Sequence, residues 1–255
     1  MTIFRLLSRG CILLALAGFA LLPAGAAEPD IIAKARAYLG GEAALDRVTS
    51  LHYVGKLTLE EGGKAAETGP VSVEIIFQKP SRQRSVIAAE KRVETTVLDG
   101  FDGWAKVQDP ADPTRWNMSL MEADQIRSLR ANVAENLSFF RNRDSRHCTI
   151  EDLGAAVVDG VSCHKVGYVY SAQVAFIRYF DVATGRLVLT ETAQGETIRE
   201  QGEIIAGGVK FPRTLITTLR RPDGSEQRVT IEFEKVTVNE TFPDSLFAMP
   251  SLGGQ

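Results

Sequence analysis

Hydrophobic and polar positions follow two different periods along this chain. Leu51, Tyr53, Leu57 and Leu59 alternate with polar neighbours and run into Glu61-Gly62-Gly63. Val71, Val73, Ile75 and Phe77 alternate with Ser72, Glu74 and Gln78. A period of two marks a strand with one buried face. The same pattern predicts strands over 82–89, 92–98 and 103–108, then over 148–153, 161–170, 174–181, 186–193, 196–206, 209–220 and 226–238. Asp99-Gly100, Asp159-Gly160, Gly207-Gly208 and Pro222-Asp223-Gly224 supply turn chemistry between them. Two segments break the alternation. Residues 31–39 predict a helix with Asp30 as N-cap and Gly40-Gly41 as its stop, and Glu42–Arg47 predicts a further helical turn. Ile126, Leu129, Val133, Leu137 and Phe140 recur at spacings of three and four. That stripe predicts a helix over 119–141, opened by a Ser119/Glu122 capping box and closed by Arg141 and Arg143.

So many successive hairpins must bury one sheet face, and the helices are the only evident cover. The expected class is α+β: a strongly curved antiparallel sheet with helices plugging its concave face. No linker, low-complexity tract or repeat divides the chain, so residues 27–255 read as a single domain.

Residues 1–26 read as a secretory signal peptide. Arg5 and Arg9 precede the uncharged run from Cys11 to Leu22, Pro23 breaks it, and Ala24-Gly25-Ala26 offers a small-x-small cleavage site. The run is too short to span a bilayer, which takes about 20 residues. Cleavage near Ala26 implies an exported protein of 229 residues. Export changes how Cys148 and Cys163 read: in an oxidising compartment two remaining cysteines most simply form a disulfide. The mirrored pairs His147-Cys148 and Cys163-His164 suggest a zinc alternative, but neighbours on a strand point to opposite faces.

Charge and motifs narrow the function classes. The 29 Lys and Arg against 32 Asp and Glu leave a net charge of −3, which disfavours a general nucleic-acid binder. No H-E-x-x-H, G-x-S-x-G, Walker A or G-x-G-x-x-G motif occurs, so no enzyme, cofactor or metal is expected. Arg82, Arg84, Lys91 and Arg92 lie on neighbouring predicted strands. They read as a solvated face or as a docking patch for an anionic headgroup or acidic partner.

A resemblance then becomes visible. Leu39-Gly40-Gly41-Glu42-Ala43-Ala44-Leu45, Val48 to Leu51 and Gly55 resemble the start of the outer-membrane lipoprotein-sorting proteins. Lys79-Pro80, Leu98-Asp99-Gly100 with Trp104, Asp159-Gly160 and Tyr179-Phe180-Asp181 resemble later stretches of that superfamily. So do Thr184-Gly185-Arg186-Leu187, Gly208-Val209-Lys210-Phe211-Pro212 and Val238-Asn239, with Leu246-Phe247 and Pro250 at the close. The resemblance implies a half-barrel of about eleven strands, with helices in its concavity. It also implies a periplasmic, non-enzymatic protein that holds lipid or the acyl chains of lipoproteins and meets membrane-bound donors or acceptors, with a monomer expected. Where the carrier of that superfamily has a lid-holding arginine, this chain has Lys79, which keeps the charge and loses the planar fork.

The expected ligand-binding residues are Trp104, Met118, Met121, Ile126, Leu129, Val133, Leu137 and Phe140, with Lys79 as a lid contact. Helix 119–141 is a mobile lid over an apolar cavity on this reading. The alternative is an envelope regulatory or structural interaction module, in which the helix is permanent core and no lipid is carried.

Overall fold

The computed structural model describes residues 29–65, 71–141, 148–221 and 223–250. The expected signal peptide and His147 lie outside the described residues. Helix α1 (Asp30–Leu39) and the short α2 (Glu42–Leu45) come first. Strands β1 (Ser50–Glu61), β2 (Lys64–Ala65), β3 (Val71–Gln78), β4 (Arg82–Ala89), β5 (Arg92–Asp99), β6 (Asp102–Asp109) and β7 (Asp112–Leu120) follow. Helix α3 (Ala123–Ser138) separates them from β8 (Thr149–Val158), β9 (Val161–Ser171), β10 (Val174–Asp181) and β11 (Leu187–Thr192). Strands β12 (Thr197–Ala206), β13 (Val209–Arg220) and β14 (Glu226–Val238) complete the sheet.

All fourteen strands join one antiparallel sheet, in the order β7-β6-β5-β4-β3-β1-β14-β13-β12-β11-β10-β9-β8, with β2 paired to β1 alone. Almost every neighbour is a hairpin partner. The exception is β1–β14, where the first and last long strands close the middle of the sheet. The strands outnumber the twelve read from the alternation by two, β2 and β7, and the eleven that the resemblance implies by three.

Strand β7 also moves the start of the long helix. Ser119 pairs with Ala105 of β6, so it belongs to the ladder and cannot cap. The capping box is Glu122 with Gln125, one turn later. The helix stops at Ser138 because Phe139 and Phe140 take left-handed backbone angles, φ 50° and 71°. At the other end of the chain α1 begins after Pro29, and Asp30 lies inside its first turn, where its charge favours the dipole without capping a backbone N–H.

Register fixes the two faces. Leu51 pairs with Phe77, Phe77 with Gln83, Gln83 with Leu98, and Leu98 with Gly103, which makes one row across β1, β3, β4, β5 and β6. Leu51, Phe77 and Leu98 are buried in a cluster with Val133, Leu137 and Phe139 of the α3 region. Helix α3 touches β3, β4 and β5 on one wing and β10 on the other, so the sheet curves around it. The adjacent row, Ile76, Val97 and Trp104, faces away and is covered by Phe242 and Phe247 of the C-terminal segment.

At Gly103 the sheet comes close to the start of α3. A Cβ there would lie 2.9 Å from Met121 Sδ and 3.2 Å from Ile126 Cγ1. Gly103→Val is therefore expected to cost about 1–3 kcal/mol by overpacking, read as a lowered denaturation midpoint at unchanged m-value.

Candidate functional site

The concave face is the candidate site, and α3 divides it into two apolar clusters. On the first, Val133, Leu137 and Phe139 pack with Tyr53, Phe211 and Phe233, with Ile126 and Leu129 half-buried at the margin. On the second, Phe140 packs with Tyr168, Phe180 and Ile32. Phe140 meets Phe180 edge-on, with ring centroids 4.9 Å apart. The helical stripe read from the sequence thus does face the sheet, and in this conformation it is packed.

Trp104 and Met118 do not share that face. Side chains alternate along a strand, and Gly103 already points at α3, so its neighbour Trp104 points outward. Its indole donates a 3.4 Å hydrogen bond to the Phe247 carbonyl, and Met118 packs into the same convex cluster. These two residues belong to the seat of the C-terminal segment and are removed from the ligand-binding set. Met121 stays on the concave side, against Gly103.

Lys79 donates a 2.5 Å hydrogen bond from Nζ to the Val48 carbonyl, so its cation is engaged with the connection between α2 and β1. Cys148 and Cys163 are not bridged. The β8–β9 register explains why. The pairs Thr149–Val169 and Ala156–Cys163 stand near opposite ends of the hairpin. Six residues of extended strand separate them, roughly 20 Å, whereas a disulfide needs Cα atoms within about 7 Å. The expected disulfide is therefore overturned. Burial pushes the Cys148 thiol up to about 11. The same separation keeps Cys148 and Cys163 from ligating one zinc ion, and His164 Nε2 lies 2.7 Å from Asp152. Among the described residues no cluster of His, Cys, Asp and Glu could hold a metal. Three of the four cations read as a solvated face or a docking patch are paired, Arg82 with Asp99 and Asp244, Arg84 with Glu74 and Arg92 with Glu94, while Lys91 is exposed in the β4–β5 turn.

Two polar assemblies inside the concavity escape sequence reasoning. The first is a buried ion pair. Arg178 of β10 reaches Glu135 of α3 at 2.7 Å, and both side chains are almost wholly buried. The Tyr170 hydroxyl donates to Glu135 at 2.5 Å. The guanidinium lies over Phe140 and Tyr168, 4.9 and 5.0 Å from their centroids. Nothing in the local pattern around Glu135 signals burial, because its partner comes from a strand 43 residues later.

The second is the hub around Arg36. This α1 side chain is 1% exposed. Its guanidinium grips both carboxylate oxygens of Glu42, at 2.8 and 2.7 Å. It also donates to the carbonyls of Ser138 and Phe139 at 2.8 and 2.9 Å, where α3 has run out of helical partners. The hydrogen bond from Arg36, with help from Arg141, holds Glu42 down at about 2. The sign follows directly. A carboxylate held low stabilises the fold above its ordinary value of 4.5, and that contribution fades as pH falls towards about 2. Thermal melts from pH 6 to pH 3 should show a smaller acid-induced loss in Glu42→Gln than in the native chain.

Two cavities of about 380 Å³ flank α1. One lies between α1 and the β12–β13 hairpin, lined by Leu39, Leu187, Glu200 and Phe211 among others. The second is lined by Asp30, Ile31, Lys34, Asp152, His164 and Val182. His164 with Asp152 makes a dyad there, but no hydroxyl or thiol lines this cavity to serve as a nucleophile.

Sequence comparison is silent: no family model matches the chain, and no curated protein matches it. Solved structures do match in fold. A LolA superfamily protein from Nitrosomonas europaea superposes with a TM-score of 0.57 at 13% identity, covering 86% of this chain and 96% of that one. A DUF1329 family protein from Desulfovibrio piger gives 0.54 at 12% identity over 86% and 96%. A domain from Vibrio parahaemolyticus assigned to outer membrane lipoprotein sorting gives 0.53 at 10% identity over 86% and 94%. The chain therefore has the fold of the LolA superfamily, as the resemblance implies.

Proposed function

We propose that this chain is a periplasmic, non-enzymatic binding protein for lipid or for the acyl chains of lipoproteins. The observation that carries the reading is an open, curved sheet whose apolar concave face is covered by helices, with a cavity of about 380 Å³ left beside α1. A greasy chain gains about 0.8 kcal/mol per CH₂ buried, so the apolar part of that cavity's wall, Leu39, Leu187 and Phe211, helps to retain one. Likeness in fold to a lipoprotein-sorting domain supports the same class, while the cargo itself is this chain's own question. Ile126 and Leu129 form the half-buried end of the α3 stripe and, with Met121 just before the helix, are the residues best placed to admit a chain. Val133 and Leu137 anchor the helix.

Native mass spectrometry of the mature protein, prepared from periplasm without detergent, tests this. Co-purifying phospholipid or acylated peptide is expected, with at least a tenfold lower bound fraction in Leu129→Asp. A clean protein mass, with nothing bound after lipids are added back, would favour the interaction module with a filled core. Leu129 suits the test because it is only half-buried, whereas Val133→Asp would place an unpaired charge in the core and unfold the chain.

A further inference from the structure

The cavity between α1 and the β12–β13 hairpin contains charges of both signs, and half of them are already paired. The Tyr38 hydroxyl donates to Glu203 at 2.6 Å. Lys210 Nζ sits 3.4 Å from Glu203 and 4.3 Å from the centroid of the Tyr38 ring. Behind the wall, Arg178 is held by Glu135. Asp181, beside Arg186, accepts from Ala183 N–H at 2.8 Å and from the Thr184 hydroxyl at 2.7 Å.

Two side chains are left over. Glu200 and Arg186 both line the cavity, and among the described residues neither side chain has a hydrogen bond or an ion pair. They feel one another electrostatically without touching. Glu200 is half-buried on β12, and Arg186 stands exposed where β11 begins. Burial raises the Glu200 carboxyl above its ordinary value, and the nearby Arg178 and Arg186 pull it back. An unpaired carboxylate kept in such a place is costly unless a cation completes it. Leu39, Leu187, Phe211 and Pro212 give the wall an apolar part, beside the polar Gln201.

We infer that this cavity is a head-group site for an ammonium–phosphate zwitterion, with Glu200 receiving the ammonium and Arg186 the phosphate. The inference rests on the lipid-binding reading and narrows it to aminophospholipid. A guanidinium is the side chain best suited to phosphate oxygens. Two opposite charges that line one space without meeting select a ligand carrying both, and leave a purely anionic head unmatched at Glu200. The volume, about 380 Å³, is at the small end of ligand sites. It suits a head group and the start of its chains, and the apolar wall gives those chains a direction.

Calorimetric titration tests the site with three soluble probes: dihexanoyl-phosphatidylethanolamine, dihexanoyl-phosphatidylglycerol and free phosphoethanolamine. The ethanolamine lipid is expected to bind the native chain about tenfold or more tightly than the glycerol lipid, the scale of one charge-assisted hydrogen bond. Glu200→Gln should erase that preference, and Arg186→Gln should weaken both lipids about tenfold. Arg186 is exposed, so its variant reports on binding even if Glu200→Gln lowers stability. Free phosphoethanolamine binding as tightly as its lipid would assign the recognition to the head group alone, and much weaker binding would assign the ligand to the membrane. Equal affinity for the two lipids, unchanged by Glu200→Gln, overturns the head-group site and leaves lipid carriage standing. Failure of all three probes, with no lipid co-purifying from the periplasm, overturns both.

Discussion

Replacing Arg36 with methionine is expected to cost about 3–5 kcal/mol, a drop in melting temperature of about 10 °C or more for a chain of this size. The side chain is 1% exposed and ties two other elements to α1 at once. It holds Glu42 in α2, and it holds the Ser138 and Phe139 carbonyls at the end of α3. Methionine fills much of the volume but donates nothing. Two carbonyls at a helix terminus then lose their donor, and Glu42 loses the cation that keeps it ionised in acid. Arg141 also reaches Glu42, at 2.7 Å, so part of the Glu42 interaction should survive. Thermal denaturation followed by circular dichroism would check the size. Glu42→Gln should cost much less, because the Glu42 carboxylate is nearly half exposed and screened by solvent. Equal losses in the two variants would place the energy in the ion pair and not in the helix-end carbonyls.

The second large effect is at Arg178 and Glu135, and it should be non-additive. Arg178→Met or Glu135→Leu alone is expected to cost about 3–5 kcal/mol, because each leaves the other charge buried without a partner. The double variant should recover most of that loss, since an apolar pair suits a site already walled by Phe140 and Tyr168. Tyr170 keeps the recovery incomplete, because its hydroxyl loses Glu135 as acceptor. A double-mutant cycle by urea denaturation would measure this. Simple addition of the two costs would mean that the charges do not depend on each other. The pair also has a topological meaning: it ties α3, which rests on β3 to β5, to the opposite wing at β10.

Most of the sheet was legible because a hairpin is local information. Alternation gives each strand, Gly and Asp give each turn, and sequential antiparallel pairing does the rest. Strand β7 was hidden because Asp112-Pro113-Thr114-Arg115 carries no apolar alternation, and as an edge strand it has one ladder to satisfy. Its concealment also shifted the helix start from Ser119 to Ala123. The candidate site was legible along α3, where Ile126, Leu129, Val133 and Leu137 do meet the sheet. It was misread at Trp104 and Met118, because bulk and nearness in sequence do not say which face of a strand a side chain occupies.

The sequence by itself determined the period of every long element except β7, the stop of α1 at Gly40-Gly41 and the helical stripe that faces the sheet, since each depends on neighbours a few residues apart. Only the tertiary structure decided which charges would meet. Arg36 finds the end of α3 a hundred residues on, Arg178 finds Glu135 across the concavity, and Glu200 and Arg186 come to one cavity without a partner. It also decided that Cys148 and Cys163 stay apart. The reason is the same in each case. Pairing across a curved sheet depends on register and closure, which no local spacing encodes, and burial then makes each distant pairing far stronger than it would be in water.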